Sequence, residues 1–316
     1  MSQHPNRGNI NSFNNTHSFN NVWNNYTIAD DRSPLLAWLS PLEPRLRHQD
    51  IQERRVDNVG EWLLQTEEFR NWHDWSGEGE GGGDKAVLFC YGGPGVGKTF
   101  IRYDNKNYFQ EREERERVLT DHHVSSLVVD RLCDQRRGQN TAVTCFYLDF
   151  AARKEQSVVS ILGSLLRQVV GGMGKVPEEI VRAFEEQKMS IGGRGLRLPD
   201  IVTMLQAITS SLRTFVCIDA WDECAAAHRI KLLNSLQQII EKSPCTRIFI
   251  IGRPHVRTEI EKRLAGRVIS MSVGPSKDDI MEYLHLKLDE DETPDAMDES
   301  LKADILKNIP ETMSEM

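Results

Sequence analysis

Three short stretches of this sequence place side chains that handle phosphate chemistry. Residues 92–99 read GGPGVGKT, directly after the apolar run AVLFCY. Glycines at this spacing let successive backbone N–H groups curl around phosphate oxygens. The lysine reaches the terminal phosphates, and the adjacent hydroxyl can ligate Mg²⁺. The candidate nucleotide-binding residues are therefore Gly92, Gly93, Pro94, Gly95, Val96, Gly97, Lys98, Thr99 and Phe100. The run FVCIDAWDEC carries a second part, because its apolar residues deliver Asp219 to the carboxyl end of a predicted buried strand. A carboxylate there binds Mg²⁺ through water, so Thr99 and Asp219 are the predicted metal ligands. Asp222 and Glu223 follow as candidate catalytic residues that orient or deprotonate an attacking water; the plainer reading makes them solvated acids that cap the next helix. TRIFIIGRPH ends a further strand at Gly252 and Arg253. The Arg253 guanidinium can contact a γ-phosphate and stabilise charge during transfer, or it simply starts a surface loop. A second glycine cluster, GGMGK from Gly171, lacks the hydroxyl residue and the preceding strand, which predicts a loop.

The elements that must position these groups follow from hydrophobic patterning. AVLFCY, TAVTCFYLDF, TFVCIDA, TRIFIIG and RVISMSV predict five buried strands, separated by amphipathic stretches such as VVSILGSLLRQVV and IVTMLQAITSSL. That alternation implies an α/β fold, a parallel sheet between two helical layers, over residues 85–275. Residues 35–75 predict helices, 76–84 a Gly/Glu linker, and 276–316 the start of a partial helical subdomain. The stretch 102–124 does not fit. It is polar and charged where a packed helix is expected, and the apolar face resumes only at SSLVVDRLC with Leu127, Val128 and Leu132. It reads as an insertion: a solvated helical extension with i,i+4 pairs Glu111/Arg115 and Glu113/Arg117, or a retained intron whose in-frame removal joins GKTFI to SSLVVDRLC. His122 and His123 are adjacent and do not share a helix face, so they predict no metal site.

Composition sets outer bounds. With 316 residues and 39% hydrophobic content, the chain can bury a full domain core. A net charge of -8 disfavours a general phosphate-backbone surface, so no nucleic-acid partner is expected. No run approaches eighteen apolar residues, which predicts no membrane span. The six cysteines form no CxxC pair and three fall inside predicted strands, which predicts reduced core thiols and a cytoplasmic location. Residues 1–30 repeat an aromatic followed by Asn-Asn at Phe13, Phe19 and Trp23. This tract predicts disorder or an amyloid-like Asn ladder.

The order GGPGVGKT, FVCIDAWDE, IFIIGRP resembles the NACHT-type branch of the signal-transduction P-loop NTPases called STAND, in particular the nephrocystin-like N-terminal P-loop domains of fungal multidomain proteins. The upstream HQDIQERRVDNVGEWLLQTEEFRNW resembles the segment that precedes the P-loop there. The resemblance implies a switch that binds ATP or GTP with Mg²⁺, hydrolyses it slowly and signals through self-association or other signalling proteins. It assigns Lys98 and Thr99 to the phosphates and Mg²⁺, Asp219 to the metal, Asp222 and Glu223 to the hydrolytic water, and Arg253 to the γ-phosphate. Two departures stand out. Gly252 replaces the usual Ser or Thr before the arginine, and the sequence stops before the winged-helix and repeat regions. A P-loop kinase, an AAA-type motor and a non-catalytic binding or assembly fragment are the competing classes; the DAWDE spacing disfavours the first two.

Overall fold

In the computed structural model, the described residues are 32–56, 58–74, 85–92, 123–136, 140–189, 195–274, 276–289 and 299–314. The strands are β1 (Val87–Tyr91), β2 (Thr141–Tyr147), β3 (Arg213–Asp219), β4 (Thr246–Gly252) and β5 (Val268–Ser272). They form one parallel sheet in the order β2-β3-β4-β1-β5. All five strands predicted from apolar runs are present; β1 to β4 are largely buried, as a parallel sheet covered on both faces requires, whereas β5, predicted to be buried, is an edge strand in which only Met271 is buried and Ser272 is exposed.

The two faces can be read residue by residue. In β1, Val87 and Phe89 enter one core, whereas Leu88 and Cys90 enter the other. The first core is closed by α1 (Arg32–Leu39), α5 (Val158–Gly172), α6 (Glu178–Met189), α7 (Leu198–Thr209) and α8 (Ala226–Lys242). Here α1 crosses α5 at Gly163, where any Cβ would collide with the Leu39 carbonyl oxygen. The second core is closed by α2 (Pro44–Gln52), a 3-10 turn at Glu61–Gln65, α3 (Glu67–Asp74) and α4 (His123–Gln135). Helices α9 (Arg257–Arg263), α10 (Lys277–Asp289) and α11 (Glu299–Ser314) complete the described chain. The predicted apolar face of α4 is correct: Leu127, Val128 and Leu132 are all buried.

The segment before the linker is thus part of the sheet's own packing. Trp72 is fully buried, its indole N–H donates to the Ala86 carbonyl at 3.2 Å, and its ring meets Phe215 and Phe249. His48 bridges the Tyr147 hydroxyl (2.7 Å) and Asp130 (3.0 Å), while Arg55 binds Asp130 (2.6 Å) and Ser126 (2.9 Å). Downstream, Ser276 and Asp279 cap α10 reciprocally, and the Asp279 carboxylate also accepts from Gly60 N–H and the Trp62 indole, both at 2.9 Å.

Cys90, Cys145, Cys217 and Cys224 are buried free thiols, Cys133 is half-buried and Cys245 exposed. Among the described residues there is no His/Cys/Asp/Glu cluster able to hold a metal ion, and no helix is long and apolar enough to cross a membrane. The cluster at Gly171 is a helix end followed by a turn. The Asn-rich tract 1–30, the linker 76–84 and all but the last two residues of 102–124 lie outside the described residues.

Candidate functional site

Parallel pairing puts the carboxyl ends of all five strands on one edge, in the order Tyr147, Asp219, Gly252, Tyr91, Ser272. Loops leaving such an edge are where α/β sheets place ligands. Gly92, which opens the glycine-rich loop, is half-buried there, and its N–H donates to the Gly252 carbonyl at 3.4 Å. Gly93, Pro94, Gly95, Val96, Gly97, Lys98, Thr99 and Phe100 lie outside the described residues.

Asp219 is only 2% exposed at the end of β3. Its Oδ1 accepts from the Ala220 N–H at 2.6 Å, and its Oδ2 accepts from the Ser125 hydroxyl on α4. Ala220 adopts a left-handed conformation with φ of 53°. A non-glycine residue there is strained, and such strain gathers at functional turns. It swings the chain into the 3-10 turn Trp221–Glu223. A buried carboxylate beside a hydroxyl is a hard-oxygen donor pair that suits Mg²⁺. Bound there, the ion would neutralise phosphate charge; Asp219, with Thr99 in the loop, would hold it.

Asp222 and Arg253 meet across the tips of β3 and β4. The Asp222 side chain is 8% exposed and pairs with the Arg253 Nε at 3.0 Å; its Oδ1 also accepts the Arg253 backbone N–H at 3.1 Å. Arg253 is 44% exposed at its side chain, so the guanidinium remains open to solvent. Gly252 explains itself in this setting. A Cβ at 252 would lie 3.1 Å from the Trp221 Cβ, so the two tips approach closely only with glycine there.

Glu223 faces away from this pair. Its Oε2 accepts from the Phe150 N–H at 2.9 Å, and its carbonyl accepts from the Arg153 Nε at 2.6 Å. Arg153 in turn stacks over the exposed Phe150 ring at 3.7 Å. The acids therefore brace neighbouring loops, Asp222 toward β4 and Glu223 toward the β2–α5 loop. Neither caps α8, whose N-cap is Ala225 with no side-chain bond. Sequence reasoning missed Ser125, Phe150 and Arg153. Only Ser125 left a signal, as a small hydroxyl residue heading the apolar face that resumes after the charged stretch.

Similar solved structures include Pyrobaculum aerophilum Cdc6p, at 15% identity and TM-score 0.41, covering 73% of this chain and 49% of that one. Aeropyrum pernix ORC1 in complex with DNA matches at 15% identity and TM-score 0.35, covering 73% and 55%. Drosophila ORC bound to AT-rich DNA and Cdc6 matches at 10% identity and TM-score 0.37, covering 92% and 39%. The chain spans about half or less of most of these structures. The expectation of no nucleic-acid partner is corrected by them, since the ORC proteins are bound to DNA. Net charge is a sum over the whole surface, and it does not decide what a local patch contacts. No curated protein matches the sequence. The sequence does match the family described as Nephrocystin 3, N-terminal, over residues 58–119 and 122–253, more than half of its length, with the break inside the charged stretch after the glycine-rich loop. With the motif order, the parallel sheet and the acidic strand end in agreement, this chain is a P-loop NTPase-fold member of the Nephrocystin 3, N-terminal family.

Proposed function

We propose that the chain is a nucleotide-dependent switch that binds ATP or GTP with Mg²⁺, hydrolyses it slowly and acts in signalling through self-association or other signalling proteins. The observation that carries this reading is the Asp222–Arg253 pair, which ties the tips of two strands beside Gly92, where the glycine-rich sequence opens, and leaves the guanidinium accessible to solvent. A γ-phosphate reaching Arg253 competes with Asp222 for it. The triphosphate and diphosphate states then differ in how the strand tips are held, and γ-phosphate contacts of this kind order switch elements. Asp219 and Thr99 would hold the metal and Lys98 the phosphates.

A second reading, nucleotide binding without hydrolysis in a scaffold, is favoured by Glu223, whose carboxylate is occupied by the Phe150 N–H. One set of measurements tests both. Lys98→Ala removes a charge-assisted contact and is expected to weaken ATP binding by about 2 kcal/mol. Unchanged affinity refutes the phosphate site. Glu223→Gln is expected to keep binding and to slow turnover; no turnover in the parent chain selects the scaffold reading.

A further inference from the structure

β2 lies at the edge of the sheet, so one side of its main chain meets no strand. In a parallel ladder, alternate residues turn both backbone groups toward the neighbour. Leu148 N–H donates to the Asp219 carbonyl on β3, which sets the phase: Phe146, Thr144 and Ala142 face β3, and Tyr147, Cys145, Val143 and Thr141 face outward. Two glutamines cover the upper half of that open side. Gln156 donates to the Tyr147 carbonyl at 3.3 Å and accepts from Asp149 N–H at 3.0 Å. Gln168, buried on α5, accepts from Cys145 N–H at 3.1 Å and donates to the Cys145 carbonyl at 2.9 Å. Each primary amide substitutes for a strand partner.

No described side chain does the same for Val143 or Thr141. There the edge opens into a groove of about 930 Å³, walled by Gln168, Met173, Val176, Ile180 and Met204. The described chain begins at the rim of this groove. The Arg32 guanidinium donates to the carbonyls of Val170 (3.4 Å), Gly171 (3.1 Å) and Met173 (2.7 Å), fastening the start of α1 to the carboxyl end of α5. A cation suits that end of a helix. Residues 1–31 precede this anchor, and residues 22–28 read VWNNYTI. Five of those seven are β-branched or aromatic, the types that suit a pleated half-buried strand, and none is charged. The step from Ile28 to Arg32 spans about 13 Å when extended.

We propose that residues 22–28 add to the edge of β2 as a further strand, pairing with the outward backbone groups of Val143 and Thr141 in this groove. Val22, Tyr26 and Ile28 share one face of such a strand, toward Val176, Ile180 and Met204, and the segment brings no charge of its own into a groove whose lining also holds Arg136, Lys175, Glu178, Glu179 and Arg182. Gln168 fixes where the pairing must stop, because Cys145 has no backbone group left to give. In this seat the Trp23-Asn24-Asn25 unit is withheld from pairing with other copies. The proposal is independent of nucleotide chemistry.

Residue-resolved hydrogen exchange on the full chain tests it, comparing the parent with a Trp23→Pro, Asn25→Pro double variant. The expected result is that the Val143 and Thr141 amides are protected in the parent at every protein concentration. They should exchange about tenfold faster or more in the variant, with the Cys145 amide unchanged. Equal exchange in the two chains overturns the proposal. So does protection that grows with protein concentration, which assigns the groove to a second copy.

Discussion

Gly252 shows how much a single hydrogen atom decides at the strand tips. Replacing it with Ala places a methyl 3.1 Å from the Cβ of the fully buried Trp221, which would have to give by a few tenths of an ångström. Overpacking of this kind costs about 1–3 kcal/mol, so Gly252→Ala is expected to lower the urea midpoint without changing the slope. An unchanged midpoint would show that the tips tolerate side chains and that glycine is incidental. The positions of Gly92, Asp219, Gly252 and Arg253 were legible in the sequence because each sits at a strand end that a run of apolar residues announces. Their partners were not. Asp222 reaches Arg253 and Glu223 reaches Phe150 only through folding, across sequence distances that leave no periodic trace. The bland reading of the two acids as solvated helix caps failed for the same reason.

The strands were read correctly from period and length, since burial on both faces makes β1 to β4 largely apolar runs, while the edge strand β5 kept enough apolar residues to be recognised despite its partial exposure. The covering of the sheet edge was invisible, because a glutamine that imitates a strand looks like any polar residue on a helix. Gln168→Leu tests that role. It keeps the volume but strips the Cys145 N–H and carbonyl of partners, each worth about 1–3 kcal/mol when left buried. Thermal unfolding should show a loss of that size, and a neutral result would mean that water replaces the amide. The polar tie between α2 and α4 is sensitive to acid instead. Burial alone would raise the Asp130 carboxyl, but hydrogen bonds from His48 and Arg55, and then their charges, hold it below its ordinary value of 3.8. A group depressed in the folded state stabilises it above the unfolded value, and that stabilisation is lost as pH falls through the folded one. Protection of the amides in residues 44–52, taken relative to their intrinsic exchange rate at each pH, should therefore fall below about pH 4, where an ordinary carboxyl protonates, and Asp130→Asn should flatten that dependence. A parent and variant with the same acid profile would remove Asp130 from the account.

Across the whole molecule, the two cores enclose four of the six thiols that the sequence predicted to lie in the core, while Cys133 is half-buried and Cys245 is exposed. Burial pushes Cys145 up to about 12 and Cys224 up to about 11, and it raises Cys90 and Cys217 as well. Thiolates are the reactive form, so a thiol reagent at neutral pH should label Cys245 first and these four only on unfolding. Fast labelling of Cys217 in the native chain would mean that the sheet opens far more readily than its packing implies. The same packing has a consequence for inheritance. Composition marks 76–84 as an ideal place to cut and rejoin genes, a polar Gly/Glu stretch between two unlike segments. Yet Trp72 fills the space under β1, β3 and β4, and Gly60 and Trp62 hold the start of α10. A recombinant that took the sheet from one parent and residues 32–74 from another would bring together surfaces that never adapted to each other. The breakpoint that the composition invites is the one that selection would reject, so the two stretches should descend together.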